Sequence, residues 1–377
     1  MKIGLVCPYN IARGGGVQEH VRDLLKEIKH HGHEAKIITP QPRDGSGLAA
    51  DEILYLGGAT DFRSPTHTSL QVSASVDPET ISRILEQEAF DILHFHEPWI
   101  PVLSRQILSR STSVNIATFH AKIPETLMSR TVVRVVTPYM KSVLKYIHEF
   151  TAVSDSAAEY VRSLSDAPIT IIPNGVDLSR YHVTAAKKSA DSSPTKTIFY
   201  IGRLERRKGL KYLLRAYQLL AQEEPNVALI IAGDGPDREK LELLAEDLKL
   251  PNVSFLGYIS EEQKMQLLAR SDLFCSPAVY GESFGIVLLE AMACGLVTVA
   301  GNNSGYTDVM KDLGAVSIVN PHDEVEFARR LGLLLNETRL RGLWKDWAAE
   351  YVKQFDFPKV AENYLNFYNE ALKRHRP

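Results

Sequence analysis

Short apolar runs alternate with longer amphipathic segments along the first half of the chain. Six of these runs are predicted as strands, at residues 3–7, 35–39, 92–95, 114–118, 150–153 and 169–172. A segment with apolar positions at helical spacing, 17–31, follows the first of them. Strands buried on both faces are almost uniformly apolar, so this alternation predicts a parallel sheet covered by helices.

The pattern pauses at residues 183–196 and then begins again. Further strands are predicted at 197–201, 228–232, 253–256, 273–276, 297–300 and 316–319, with helices at 209–221, 237–248, 261–269 and 284–294. We therefore expect an α/β fold with two parallel-sheet domains, 1–182 and 197–355, joined by a linker or surface loop, 183–196. Residues 356–377 predict a closing helix whose aromatic side chains pack in a core.

Composition narrows the class of protein. The length of 377 residues favours two domains, and 43 Lys and Arg against 46 Asp and Glu give no basic excess, so no nucleic-acid partner is expected. The 3 cysteines form no Cys-x-x-Cys pair, which fits a reducing compartment. No window reaches the ~18 apolar residues of a membrane span. We expect a cytoplasmic protein, or one peripheral on the cytoplasmic face of the membrane.

Three glycines, Gly14, Gly15 and Gly16, follow the first strand and precede a helix. This is the edge where open α/β sheets bind ligands, and backbone amides there can approach a phosphate or a sugar. The loop matches neither Gly-x-Gly-x-x-Gly nor a P-loop, so neither of those nucleotide sites is expected. A flexible turn is the alternative interpretation.

The second domain opens with a cationic turn that contains Arg203 and Lys208. Cations directly after a strand can neutralise a departing diphosphate in place of a metal ion. No Asp-x-Asp occurs in the chain, so no carboxylate pair for Mg²⁺ or Mn²⁺ is expected. A solvated basic turn is the alternative.

Two acids flank or interrupt the most apolar predicted helix. Glu290 lies within residues 284–294, and Glu282 comes just before them. A buried carboxylate needs a partner, which is either a ligand hydroxyl or an internal arginine. Eight residues of helix span ~12 Å, farther than the ~5–9.5 Å between paired glycosidase carboxylates, so a hydrolytic pair is not expected.

Histidines mark the carboxyl edge of the first sheet. His120 ends a predicted strand and can contact a substrate hydroxyl or accept a proton, unless it serves as a core or capping residue. His94 and His96 share one strand face, but no third ligand follows at a defined spacing, so no zinc site is expected. Asn174 begins an Asn-Gly turn at another strand end.

Five motifs together resemble the retaining glycosyltransferases of family 4, in the same order along the chain. They are Gly15-Gly-Val17, Ile172-Pro-Asn-Gly-Val-Asp177, Gly202-Arg-x₄-Lys-Gly209, Gly233-Asp-Gly-Pro236 and Glu282-x₇-Glu290. Within that family, His94-Phe-His-Glu-Pro98 and Gly281-Glu-Ser-Phe-Gly-Ile-Val287 are most similar to the bacterial phosphatidylinositol alpha-mannosyltransferases. The resemblance implies a GT-B fold, with two Rossmann-like domains facing across a cleft and the closing helix returning to the first.

The resemblance also implies metal-independent transfer of a hexose from a nucleotide-sugar to a lipid or glycan acceptor, with no cofactor. By motif position, it implies that the catalytic residues are Arg203, Lys208, Glu282 and His120. It implies donor contacts at Gly15, Gly16, Gly257, Ile259, Phe284, Gly285, Ile286 and Glu290, and acceptor-side contacts at Tyr9, His120 and Asn174. No carboxylate is evident as a covalent nucleophile, which favours a front-face mechanism in which the leaving phosphate takes the acceptor proton.

The donor and the acceptor leave alternatives open. GDP-mannose is favoured, against a UDP-sugar of glucose, galactose or GlcNAc, a nucleotide-sugar epimerase and a non-catalytic sensor. The relatives bind anionic membrane through a basic helix, whereas the equivalent region here, 78–88, has Arg83 and three glutamates. Residues 130–145, where cations interleave with apolar positions, are either a substitute membrane contact or a core helix with a solvated edge.

Overall fold

The computed structural model describes residues 1–12, 14–42, 50–63, 69–73, 76–100, 102–122, 130–185 and 195–375. Of these residues, only the backbone is described at 50, 59–63, 69–73, 130–136 and 182–185. The chain divides into two compact units, Met1–Gly175 with Phe357–Pro377, and Val176–Asp356. Each unit contains one sheet, of eight strands in the first and six in the second. The predicted fold class, α/β with two parallel-sheet domains, is confirmed.

The first unit has a sheet in the order β4-β3-β2-β1-β5-β6-β7-β8, parallel throughout except between β3 and β4. Its strands are β1 (Lys2–Val6), β2 (Glu34–Gln41), β3 (Ile53–Arg63), β4 (Ser69–Ser73), β5 (Ile92–His96), β6 (Val114–Phe119), β7 (Glu149–Ala152) and β8 (Ile169–Ile171). Its helices up to this point are α1 (Gly16–His30), α2 (Pro78–Glu88), α3 (Leu103–Leu108), α4 (Arg130–Leu144) and α5 (Asp155–Arg162).

The second unit has a fully parallel sheet in the order β11-β10-β9-β12-β13-β14. Its strands are β9 (Lys196–Ile201), β10 (Val227–Ala232), β11 (Val253–Gly257), β12 (Leu273–Ser276), β13 (Val297–Gly301) and β14 (Ile318–Val319). Its helices are α6 (Leu178–Ala185), α7 (Leu210–Glu223), α8 (Arg238–Asp247), α9 (Glu261–Arg270), α10 (Ile286–Ala293), α11 (Ser304–Val309), α12 (Glu324–Asn336) and α13 (Thr338–Tyr351).

The last helix, α14 (Phe357–His375), belongs to the first unit. Its residues Val360, Tyr364 and Tyr368 are fully buried in one hydrophobic cluster with Ile3 of β1 and Leu24 of α1. These three positions recur every four residues, which places them on one face of the helix. The aromatic side chains predicted to pack in a core do so.

Two observed strands were not predicted, and two predicted elements have other bounds. The sequence pattern predicts neither β3 nor β4; in β3, Gly57 and Gly58 interrupt the apolar run, and glycine is depleted in strands. The helix predicted at 284–294 begins only at Ile286, because Gly285 has a φ of 108°, outside the helical region. The strand predicted at 316–319 is shortened to β14, since Asp312–Ser317 form a 3₁₀ helix.

The chain passes between the units at Gly175 and again before Phe357, so the first unit ends earlier than the predicted boundary after residue 182. Val176 starts the second unit by donating its N–H to the Phe355 carbonyl at 2.8 Å. The helix α6 follows, with Tyr181 buried in the second unit. Part of the predicted linker, 183–185, is therefore helical, and residues 186–194 lie outside the described ranges.

The regions considered for membrane contact have distinct outcomes. In the part of the chain covered by the structure, no helix combines the length and apolar character needed to cross a bilayer. On α2, Glu88 forms ion pairs with Lys2 and Lys36 at 2.8 and 2.6 Å, so this acid helps to join the helix to the sheet. Lys141 in the last turn of α4 and Lys145 just after this helix are exposed. The side chains of residues 130–136, at the start of α4, lie outside those described.

Gly233 has no room for a side chain, which predicts a large loss of stability on substitution. Its φ is 118°, and a Cβ there would lie 2.0 Å from the Gly202 carbonyl oxygen. Gly233→Ala should lower the free energy of unfolding by about 2–5 kcal/mol through backbone strain and overpacking. Gly342→Ala is the matched control, because a Cβ there meets nothing within 4 Å, and it should stabilise by about 0.5–1 kcal/mol.

Urea unfolding followed by circular dichroism compares the two variants with the native chain. A Gly233→Ala protein as stable as the native chain would show that the loop after β10 relaxes easily and that its close approach to Gly202 is not a structural requirement.

Candidate active site

The carboxyl edge of the second sheet gathers residues that are far apart in the sequence. β9 leads into Gly202 and Arg203, and the segment after β12 leads to Glu282. The Val279 N–H donates to the Arg207 carbonyl oxygen at 2.8 Å, which joins the loop after β12 to the turn after β9. Ligands of open α/β sheets bind at this edge.

An ion-pair network occupies this edge. Arg207 Nη1 and Lys208 Nζ lie 2.5 and 2.7 Å from the same oxygen of Glu282, Oε1. Arg207 Nε lies 2.6 Å from Glu205 Oε1, and Arg203 Nε lies 3.4 Å from Glu205 Oε2. The structure therefore brings together the three residues of this unit predicted to be catalytic, Arg203, Lys208 and Glu282.

The network carries one positive charge in excess, since three cations face two carboxylates. The side chains of Glu205 and Glu282 are 9% and 13% exposed, whereas that of Arg203 is 41% exposed. Excess positive charge with a guanidinium facing solvent suits the binding of a diphosphate, whose oxygens accept charge-assisted hydrogen bonds. This electrostatic arrangement can hold an anion and stabilise one that is leaving.

Arg207 and Glu205 are the two members of the network that sequence reasoning did not assign. Burial opposes the charge of Arg207, but Glu282 and Glu205 outweigh burial and raise its pKa. Its Nη1 also donates to the Gly281 carbonyl oxygen at 3.2 Å. Arg207 thus holds the loop that carries Glu282, and its only signal in the sequence was its position beside Lys208.

The loop before α10 offers backbone groups to a ligand. Gly285 is the N-cap of α10, and no described side chain caps this helix, so its first N–H groups remain available to an anion. The Phe284 ring is buried and packs edge-on against Phe355, with ring centroids 5.9 Å apart. The Phe284 ring thus packs inside the protein, and the donor contacts predicted at Phe284, Gly285 and Ile286 stay a prediction about their backbone amides.

Glu290 already has protein partners. Its Oε1 accepts hydrogen bonds from Lys264 Nζ at 2.9 Å and from the Tyr181 hydroxyl at 3.0 Å. The internal partner considered from the sequence was an arginine, and the structure supplies a lysine from α9 and a tyrosine from α6 instead. Within the described ranges Oε2 accepts no hydrogen bond from another residue, so that oxygen can accept from a ligand hydroxyl.

The prediction that eight residues of helix separate Glu282 from Glu290 was wrong. Glu282 lies in the loop before α10, and only Glu290 lies on the helix.

The residues at the end of β11 are at the same sheet edge. Gly257 has a φ of 70°, and a Cβ there would lie 2.9 Å from Arg238 Nη1. Ile259 is half-buried, and Tyr258 between them is 89% exposed, so an aromatic face is open to a ligand.

The carboxyl edge of the first sheet carries the predicted acceptor-side residues. Tyr9, His120 and Asn174 follow β1, β6 and β8. The Asn174 side chain lies close enough to His120 to act on the pKa of its imidazole, in the direction opposite to burial. Burial, reinforced by the charge of Glu97, raises the pKa of Tyr9. All three residues therefore lie at the carboxyl edge of the first sheet.

His120 belongs to a cluster of three buried histidines that also contains His20 of α1 and His96 of β5. His96 Nδ1 lies 2.9 Å from His120 Nε2, and the ring of His20 lies 5.0 Å from that of His120. Burial lowers the pKa of His20 to about 4 and those of His96 and His120 well below the usual value. All three imidazoles are therefore neutral at pH 7, the state in which an imidazole can accept a hydrogen bond from a hydroxyl.

The same cluster supplies the third histidine that the sequence did not reveal. The ligand nitrogens of His20, His96 and His120 all lie within 4.8 Å of one another. Of the three, only His96 and His120 are hydrogen-bonded to each other, and both ring nitrogens of His20 are buried without a hydrogen-bond partner in the described part of the chain. Both ring nitrogens of His94 are engaged, by hydrogen bonds to Tyr368 and Thr118 at 2.7 and 2.6 Å. The expectation that no zinc ion binds here stays a prediction.

Glu97, between β5 and Pro98, is a further residue that sequence reasoning did not assign to the site. Its Oε1 accepts from the backbone N–H of His120 and from that of Ala121, the latter at 2.6 Å, and its Oε2 accepts from Trp99 Nε1. Burial raises the pKa of Glu97 to about 7, although these N–H groups act in the opposite direction. A buried carboxylate thus contacts the chain at His120.

The glycine loop of the first unit leaves a helix end uncapped. Gly15 is the N-cap of α1, which begins at Gly16, and no described side chain caps this end. A Cβ on Gly15 would lie 2.4 Å from the Gln18 side-chain oxygen, so the loop passes close to its own helix. The first N–H groups of α1 therefore have no side-chain acceptor in the described part of the chain, and their contact with a phosphate or sugar stays a prediction.

Two parallel-sheet units, one with a cationic edge built around Glu282, define the GT-B class of glycosyltransferases. Residues 14–180 match the family described as Glycosyltransferase Family 4, and residues 184–350 match Glycosyl transferases group 1. The phosphatidyl-myo-inositol mannosyltransferase of Mycolicibacterium smegmatis is 32% identical, across 98% of this chain and 93% of its own. The chain belongs to glycosyltransferase family 4, and the resemblance stated from its motifs is confirmed.

Solved structures share the fold at low sequence identity. Sucrose-phosphate synthase of Thermosynechococcus elongatus superimposes with a TM-score of 0.78 at 18% identity and 99% coverage of both chains. Anabaena HepE in complex with UDP and glucose superimposes with a TM-score of 0.74 at 17% identity, covering 98% of this chain and 100% of its own. These likenesses support the fold assignment.

Proposed function

We propose that this glycosyltransferase moves mannose from GDP-mannose to a lipid or glycan acceptor, with retention of configuration and with no metal ion at the donor diphosphate. The observation that carries the proposal is the excess positive charge around Glu282, where Arg203 and Lys208 share one sheet edge with the uncapped end of α10. The full-length similarity to a phosphatidyl-myo-inositol mannosyltransferase favours mannose and makes phosphatidylinositol the first acceptor to test.

In this proposal the protein's own cations take the place of a metal. The diphosphate lies against Arg203 and Lys208 and the amides of α10, so charge that develops on departure meets fixed positive groups. Glu282 Oε2 accepts from sugar hydroxyls, while its Oε1 stays with Arg207 and Lys208. A carboxylate held by two cations is suited to hydrogen bonding more than to nucleophilic attack, which supports front-face transfer.

On the acceptor side, a neutral His120, at the same sheet edge as Asn174 and Tyr9, receives the acceptor hydroxyl. A lipid acceptor implies peripheral contact with the cytoplasmic face of the membrane. α2 is a poor candidate for that contact, because Glu79 and Glu86 accompany its one arginine and Glu88 pairs inward. The exposed Lys141 and Lys145 of α4 are better placed to meet anionic lipid.

A UDP-sugar is the second candidate donor. HepE, which shares the fold, was solved with UDP and glucose. The base is the part of the donor that separates the two candidates, and the exposed ring of Tyr258 can stack on either a purine or a pyrimidine. Nucleotide binding therefore decides between them.

A panel of GDP, UDP and ADP should show the strongest stabilisation by GDP. At a hundredfold excess over its Kd, a nucleotide adds about 2.7 kcal/mol to the stability, which raises Tm by about 5–10 °C for a unit of this size. Differential scanning fluorimetry measures the shift. A larger shift with UDP than with GDP would transfer the proposal to a UDP-sugar.

Transfer is then measured with radiolabelled GDP-mannose and UDP-sugars, with and without phosphatidylinositol vesicles or a lipid extract. A transferase forms a labelled product only with acceptor, an epimerase changes the sugar without acceptor, and a sensor does neither. Product formation without acceptor, or none with any donor, would refute the proposed function.

A further inference from the structure

Glu97 combines features that are costly unless they serve a purpose. It is 1% exposed, and its carboxylate accepts from three N–H groups, two of the backbone and one of Trp99. Within the described ranges no cation contacts it. A buried carboxylate without a cation is held only by N–H dipoles, which demands three well-placed donors.

The backbone at Glu97 is also strained. Its φ is 51°, in the left-handed region, and the next residue is Pro98. A residue before proline is restricted to extended conformations, and a non-glycine residue in the left-handed region costs further energy. Strain of this kind persists only where the surroundings hold it, and it concentrates at functional sites.

The contacts of Glu97 all lead to the end of β6. Its N–H donates to the Thr118 carbonyl at 3.0 Å, and its Oε1 accepts from the N–H groups of His120 and Ala121. Trp99, the third donor, packs against Phe119 with ring centroids 4.6 Å apart. Glu97 therefore fixes the three residues around the point where β6 stops and the His120 side chain begins.

We infer that Glu97 is a positioning residue: its carboxylate holds the backbone at His120 and Ala121, and thereby orients the His120 imidazole toward the acceptor. The part concerning the acceptor rests on the proposed function, whereas the hold on His120 does not. A carboxylate is required because it accepts on both oxygens, while an amide in the same place would turn one donor toward another.

Glutamine at this position makes a sharp test. In Glu97→Gln the amide oxygen can still accept from His120 and Ala121, but its NH₂ then faces the Trp99 N–H, so one contact becomes a clash of donors. Trp99→Phe removes that donor and keeps an aromatic ring against Phe119. The double variant Glu97→Gln/Trp99→Phe should therefore recover what Glu97→Gln loses, with Trp99→Phe alone as the matched control.

Two readouts separate positioning from a general loss of structure. Transfer from GDP-mannose to phosphatidylinositol vesicles should show kcat at least tenfold lower in Glu97→Gln, with KM for GDP-mannose within twofold. The Cε1–Hε1 NMR resonance of His120, labelled with ¹³C and assigned with a His120→Asn variant, should shift in Glu97→Gln. In the double variant, kcat should return to within threefold of the Trp99→Phe value, and the His120 resonance should return to its position in Trp99→Phe.

Several results would overturn the inference: an unchanged His120 resonance in Glu97→Gln, a loss that the double variant does not recover, or a loss that falls equally on KM for the donor. If Glu97→Gln does not fold, the folded double variant provides the test. A His120 resonance displaced from its position in Trp99→Phe contradicts the inference, and a resonance at that position supports it. Should the native chain transfer no sugar, the proposed function fails and the resonance still tests the hold on His120.

Discussion

Replacing Arg203 and Lys208 together with glutamine should lower kcat about a thousandfold or more. These two cations supply the positive charge that faces the diphosphate, and loss of one preorganised donor at a developing anion typically costs ~10²–10³ in rate. Lys208 also contacts Glu282 at 2.7 Å, so its removal weakens the hold on the sugar-binding loop as well. Initial rates with saturating GDP-mannose measure the effect.

Arg206→Gln is the matched control, because Arg206 lies in the same turn but takes no part in the ion pairs with Glu205 and Glu282. It should keep kcat within threefold of the native value. The same assay in excess EDTA should keep its rate, since fixed cations and not a bound ion neutralise the leaving group in this proposal. Abolition by the chelator, or full activity in the double variant, would refute that role.

Glu282→Gln should lower kcat at least tenfold. The substitution removes a charge-assisted hydrogen bond to the sugar, which is worth ~1.5–3 kcal/mol, and each 1.36 kcal/mol is a factor of ten in rate. It also leaves Arg207 without one of its two carboxylate partners, which loosens the loop before α10. Steady-state kinetics with GDP-mannose separates kcat from KM.

Glu239→Gln serves as the control for the loss of one negative charge, since Glu239 is an exposed residue of α8 in the same unit. Its kinetics should match those of the native chain. Unchanged turnover in Glu282→Gln, with a Tm equal to that of the native chain, would remove Glu282 from the site.

Most of the fold was predictable because it is written in local patterns. The strands β1, β5 and β6 are apolar runs that the sequence places within one or two residues of their observed limits. The misses have local causes too. Glycines mask β3, and Gly285 delays the start of α10 in a segment whose apolar composition alone favours an earlier one.

The candidate site was predictable only in outline. Residues such as Arg203 and His120 could be chosen because they follow strands, and parallel strands of one sheet end at a common edge. Their partners could not. The contact of Lys264 with Glu290 joins positions 26 residues apart, and that of Tyr181 with Glu290 joins positions 109 apart. Neither pairing leaves a trace in local composition.

By itself, the sequence determined the alternation of strands and helices apart from β3 and β4, the parallel character of the sheets and the identity of the groups at their edges, because short-range periodicity and turn residues specify these. The tertiary structure decided which charges and imidazoles meet: Arg207 with Glu282, Glu97 with the backbone at His120, and His20 with His96. Such meetings depend on side chains from separate elements converging in three dimensions, where burial and pairing set their protonation and their chemistry.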